Sequence, residues 1–101
     1  MSYEYEITLP PGKALDLETL GEALRVVGRY VLLSRTDRAL CGVFSSSPRD
    51  PDWPEDFTVS LNDAAKLVSV HGGTANQRKQ LLDDLRGGIA AQGLTCELEE
   101  L

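Results

Sequence analysis
Lys66-Leu-Val-Ser-Val-His-Gly-Gly-Thr-Ala-Asn-Gln77, continued to Gln92 and Gly93, decides the fold. Val68 and Val70 alternate with polar neighbours between Lys66 and His71, the pattern of a half-buried strand. Gly72-Gly73 interrupts it, because residues without a Cβ tolerate a sharp reversal. Thr74 is a good helix N-cap, and Gln77 three residues on completes a capping box. Leu81, Leu82, Leu85 and Ile89 then recur at helical spacing and form one apolar face. Gly93 marks the stop, with Leu94 behind it. Gly87-Gly88 falls inside this helix. The pair reads as close packing against the sheet, with a helix broken there as the alternative.

Working outward, Tyr3 to Leu9 alternates apolar and polar residues and reads as a first strand. Asp16 caps a helix whose apolar positions are Leu17, Leu20, Leu24 and Val27, with Gly28 beyond its end. Tyr30 to Ser34 is a continuous apolar run, which favours a central strand over an edge. Thr36-Asp37-Arg38 turns the chain into a third strand, Leu40 to Ser45. Three prolines exclude regular structure from 45–56. Phe57, Val59 and Leu61 alternate as a fourth strand, and Leu94, Cys96 and Leu98 as a last one. The order is β-α-β-β-β-β-α-β over a single α+β domain, residues 1–101. It implies a mostly antiparallel sheet of about six strands with two helices on one face. The other face must then be polar or covered by a partner.

Composition narrows the function. Sixteen acidic residues against ten basic give a net charge of −6. That excludes nonspecific nucleic-acid binding, where phosphate contacts need a basic face, and favours a basic partner. No apolar run approaches the ~20 residues of a membrane helix. The acidic start Ser2-Tyr-Glu-Tyr-Glu6 lacks a signal-peptide core, so a cytoplasmic protein is expected. Cys41 and Cys96 read as buried reduced thiols, with a disulfide as the alternative.

Catalytic signatures are weak. His71 could activate Cys41 or Cys96, yet no spacing supplies an orienting third group or an oxyanion hole. One histidine and two distant cysteines are too few for a closed zinc site, and no cofactor motif occurs. No enzyme is expected. Gly72, Gly73 and Thr74 at a helix N-terminus could hold an anion, with Arg78 close by, which makes a small-ligand sensing or regulatory domain the second reading. Arg78 and Lys79 are otherwise expected to face Asp83 and Asp84 at helical spacing. The proline-stiffened loop carries Asp50, Asp52, Trp53, Glu55 and Asp56, an acidic cluster around the only tryptophan. Either the indole anchors a partner, as interface tryptophans do, or it folds back as a lid on the sheet.

The chain resembles the small, acidic, single-domain immunity proteins encoded beside bacterial toxins. The likeness lies in Asp50-Pro-Asp-Trp-Pro-Glu-Asp56, in the strand–His71-Gly72-Gly73–helix unit and in the acidic end Glu97-Leu-Glu-Glu100. These proteins share no motif, so no residue role carries over. The resemblance implies inhibition by binding: acid and aromatic side chains plug a toxin's basic active site. Asp50, Asp52, Trp53, Glu55 and Asp56 are the residues expected to meet such a partner.

Overall fold
In the computed structural model, residues 2–45, 55–62 and 65–101 are described. Their elements are β1 (Tyr3–Thr8), α1 (Leu17–Val27), β2 (Tyr30–Arg35), β3 (Ala39–Phe44), β4 (Phe57–Leu61), β5 (Lys66–Val70), α2 (Ala75–Ala90) and β6 (Glu97–Glu100). The expected α+β order is the observed one. The six strands form one sheet, ordered β2-β3-β4-β5-β1-β6, and every neighbouring pair is antiparallel. Alternation of direction makes β1 parallel to β2, and β5 parallel to β6, so α1 and α2 are the crossovers that join parallel strands. Among the described residues, no helix is long and apolar enough to cross a membrane.

The inward positions Tyr5, Val68, Val59 and Leu40 stand in one row across the sheet. They share a core with Leu17, Leu20 and Leu24 of α1 and Leu81, Leu85 and Ile89 of α2. Tyr30, Phe44 and Phe57 close one end of this core, with ring centroids 5.6–6.0 Å apart. Both helix starts are capped as their sequences dictate. Asp16 accepts from the Glu18 N–H and the Thr19 hydroxyl, and Thr74 and Gln77 form the reciprocal capping box. The side-chain amide of Gln92 then clamps both backbone groups of Asp16, tying the end of α2 to the start of α1.

Four local expectations are corrected. β2 is an edge strand, not a central one. Its apolar run divides by alternation: Tyr30 is buried and Leu32 half-buried, whereas Val31 and Leu33 are exposed. Val27, the last residue of α1, is 40% exposed instead of packed. β6 begins only at Glu97, which leaves Leu94 and Cys96 half-buried ahead of it. The fourth concerns the glycine pair. α2 runs unbroken through Gly87-Gly88, and Gly88 packs against α1, not against the sheet. A Cβ on Gly88 would lie 2.7 Å from Leu20 Cδ1, whereas a Cβ on Gly87 would meet nothing within 4 Å.

A polar network fastens α2 to β2 near the aromatic end. Asp84 accepts from the Tyr30 hydroxyl, from Arg29 at 3.2 Å and from the Gln80 amide at 3.1 Å. Burial first, and then the bond to Asp84, push the Tyr30 phenol well above its ordinary range.

Two outcomes follow for stability. Gly87→Ala should gain about 0.5–1 kcal/mol, because alanine is the better helix former and has room there. Gly88→Ala should melt below Gly87→Ala, and equal melting temperatures would mean that the helices do not touch at Gly88. A raised phenol pKa means that the Tyr30 contribution is complete below pH ~10 and is lost as pH rises beyond it. Stability measured by urea unfolding should therefore fall more steeply above pH ~10 in the parent than in Tyr30→Phe.

Candidate functional site
The corner where β5 turns into α2 is built on Asp56. This residue is 9% exposed. Its N–H donates to the Gly42 carbonyl at 2.8 Å, and its own carbonyl accepts from the His71 and Gly72 N–H groups. Its Oδ2 accepts from the Phe44 N–H at 2.9 Å. One residue thus joins the end of β3, the start of β4 and the end of β5. Phe44 and Asp56 also flank the acidic segment, so their bond pins its base together.

Asp56 explains the glycine pair as well. A Cβ on Gly72 would lie 2.3 Å from Asp56 Oδ1. Gly73 adopts φ +83°, and a Cβ there would strike the Phe44 ring at 2.5 Å. Both positions need glycine because an aspartate and a phenylalanine fill the space beside them. Two of the N–H groups expected to bind an anion are engaged internally. The Gly72 N–H goes to Asp56 and the Thr74 N–H to Gln77 at 2.8 Å. An anion approaching Gly72 would meet the Asp56 carboxylate. Arg78 stacks its guanidinium over the Tyr3 ring, 3.7 Å from the centroid. The helical pairing expected for Arg78 and Lys79 is replaced by Asp83 with Arg86 and Asp84 with Arg29.

Of the five residues expected to meet a partner, Asp50, Asp52 and Trp53 lie outside the described residues. Glu55 is half-buried. Asp56 points into the fold and serves the corner, which removes it from the set available to a partner. The cysteines stand far apart and free. Cys41 lies in β3 and Cys96 just before β6, four strand spacings away, or roughly 19 Å. A disulfide needs Cα atoms within about 7 Å. Cys41 Sγ faces the Thr58 hydroxyl at 3.7 Å. Burial raises the Cys96 thiol pKa, which works against a nucleophilic thiolate. Among the described residues, no three His, Cys, Asp or Glu side chains are grouped to hold a metal.

What sequence reasoning missed is the charge on the helix-free face of the sheet. Register places Glu6 directly opposite Glu99, and Thr8 opposite Glu97. Glu4, opposite Ser69, completes a group of four glutamates on one face of two adjacent strands. The outward positions of β3, β4 and β5 add Ala39, Cys41, Val43, Thr58, Ser60, Leu67 and Ser69, with no basic residue among them, and Val43 is buried. The signal was present as the repeated Glu-x-Glu of residues 4–6 and 97–99. It became meaningful only once β1 and β6 were known to be neighbours.

Compared with known proteins, the chain matches no protein family, no curated protein and no solved structure.

The corner makes a direct prediction. Asp56→Ala strands the Phe44 N–H in a buried position and should cost about 1–3 kcal/mol, or at least several degrees of melting temperature. Asp56→Asn keeps an acceptor oxygen and should cost less. Gly72→Ala should be destabilising alone, and less so on an Asp56→Ala background, since the obstructing carboxylate is gone. Strict additivity in that double-mutant cycle would separate the two residues.

Proposed function
We propose that the chain is an acidic protein-binding module that neutralises a basic partner protein, and that it serves as an immunity protein against a bacterial toxin. The observation that carries this reading is the set Glu4, Glu6, Glu97 and Glu99 on the helix-free sheet face, with no cation among them. Like charges directly opposite on neighbouring strands destabilise a sheet. A basic surface laid over them converts that repulsion into attraction. The net charge of −6 extends the same attraction to long range and speeds encounter. The acidic segment with Asp50, Asp52, Trp53 and Glu55 is the second element, in which the indole is the anchor and the acids are the guide. Inhibition is by occlusion, needs no cofactor and involves neither nucleic acid nor membrane. The partner is a basic toxin domain, met in the cytoplasm. The anion-sensing alternative at Gly72, Gly73 and Thr74 is not favoured, because Asp56 and Gln77 already engage the Gly72 and Thr74 N–H groups.

The test begins with capture of partners from the source cell on the tagged chain, followed by binding kinetics on the captured protein. Glu6→Gln/Glu99→Gln should slow association about tenfold at low salt and flatten its salt dependence, since surface charges act on encounter. The same variant should melt no lower than the parent. Trp53→Ala should act instead on dissociation. Co-expression of the parent chain should rescue cells carrying the partner. An acidic partner, or association unchanged in rate and salt dependence by the double substitution, overturns the reading.

A further inference from the structure
We propose that the cleft between α1 and α2 is a docking groove for a basic amphipathic helix. The proposal rests on the reading of the chain as a binder of basic proteins and supplies a second surface, on the helical layer instead of the helix-free sheet face.

The first observation is a glycine that the fold does not explain. Gly88 has a packing reason, since it sits where α2 touches Leu20 and Ala23 of α1. Gly87 has none: it is exposed, its φ is unexceptional, and a Cβ there would meet nothing within 4 Å. A helix-weakening residue with no packing or conformational reason marks a position where something other than the fold sets the choice. Gly87 lines the cleft between the helices, about 780 Å³ in volume. The absent side chain at Gly87, with Ala23 across from it and Ala91 one turn on, keeps the space between the helices as a trough.

The second observation is apolar exposure. Val26, at 74%, is the most exposed large apolar side chain among the described residues, and with Val27 it lines one end of the trough. Isolated exposed valines are ordinary, but two at the mouth of a cleft provide a seat for apolar side chains.

Length and charge identify the occupant. The helices are antiparallel, since Gln92 meets Asp16 while Asp84 meets Arg29. The lining of α1 runs from Glu18 to Val27, roughly 14 Å of helix. A third helix of about ten residues fits that length and would present apolar residues at i, i+3, i+4 and i+7 to the trough. The lining carries Glu18, Glu22, Asp83 and Asp84 and no basic residue. Asp84 is committed to Tyr30, Arg29 and Gln80. Glu22 and Asp83 hold Arg25 and Arg86 along their own helices, in solvent-exposed pairs that are weak and readily exchanged. Lysines or arginines flanking the apolar stripe of the incoming helix would meet Glu18, Glu22 and Asp83.

The experiment uses the full chain and two synthetic peptides of about fourteen residues. One is a leucine/lysine amphipathic helix, and the other is its leucine/glutamate counterpart. The lysine peptide should bind the parent with a salt-sensitive affinity and the glutamate peptide at least tenfold more weakly. Gly87→Leu fills the trough from a position with room for the side chain, so it should fold at least as well as the parent and lose binding by tenfold or more. Glu18→Gln/Glu22→Gln should weaken binding severalfold and reduce its salt dependence. The sheet-face variant Glu6→Gln/Glu99→Gln should bind the peptide as the parent does, which separates this surface from the other. A lysine peptide that binds neither better than the glutamate peptide nor worse to Gly87→Leu overturns the groove. If the captured cellular partner binds Gly87→Leu as tightly as the parent, the groove is overturned and the neutralising role stands. If the peptide behaves as expected but no basic protein is captured, the groove stands and the neutralising role fails.

Discussion
The corner of this fold depends on a carboxylate that faces inward. Asp56 holds the Phe44 N–H with its side chain and the ends of β3 and β5 with its backbone. Without it, the long connection between β3 and β4 would leave two strand ends with unpaired backbone groups, and buried groups of that kind are expensive. Gly72 is the necessary complement, since only a residue without a side chain leaves room for the Asp56 oxygen. From that contact follows the turn into α2, and from α2 follow the core leucines and the seat of Gly88 on α1.

The architecture was legible in the sequence where local rules and tertiary packing agree. Thr74-x-x-Gln77, Asp16 and Gly28 cap helices by backbone chemistry that does not depend on the rest of the chain, and all three stand as read. Alternation located the strands in the same way. It could not say which strands are neighbours, and the misreading of β2 as a central strand lies there. The apolar run of β2 suggested a central strand because an edge strand with valine and leucine on its outer face is locally indistinguishable from one. The site was less legible. Asp56 shares its composition with Asp50 and Asp52, and nothing in the segment separates an acid that caps a backbone from one that faces solvent. The repulsive Glu6–Glu99 pair is invisible until strands 93 residues apart in sequence are placed side by side.

Charge and apolar area are distributed unevenly over the two faces of the molecule. The helix-free sheet face carries glutamates at its β1–β6 side, while the helical layer has a trough whose walls are acidic and one of whose ends is apolar. Neither arrangement improves the stability of the isolated chain. Like-charged neighbours and a helix glycine in open space both lower it. Natural chains carry such features because they are rarely at their stability optimum, so each leaves room for a stabilising substitution.

The position of β1 has a consequence for how the chain acquires this structure. β1 lies between β5 and β6, so the strand formed by residues 3–8 finds its hydrogen-bonding neighbours only at residues 66–70 and 97–100. The meander from β2 to β5 can assemble from contacts that are short in sequence, but the interior position for β1 closes loops of some sixty to ninety residues. Such non-local closure slows folding. During synthesis β1 emerges before both of its neighbours, and its alternating Tyr-Glu-Tyr-Glu-Ile stays unpaired on one edge until residues 97–100 have followed. The glutamates that later crowd the finished sheet serve during that wait to keep an unpaired strand from joining another of its kind.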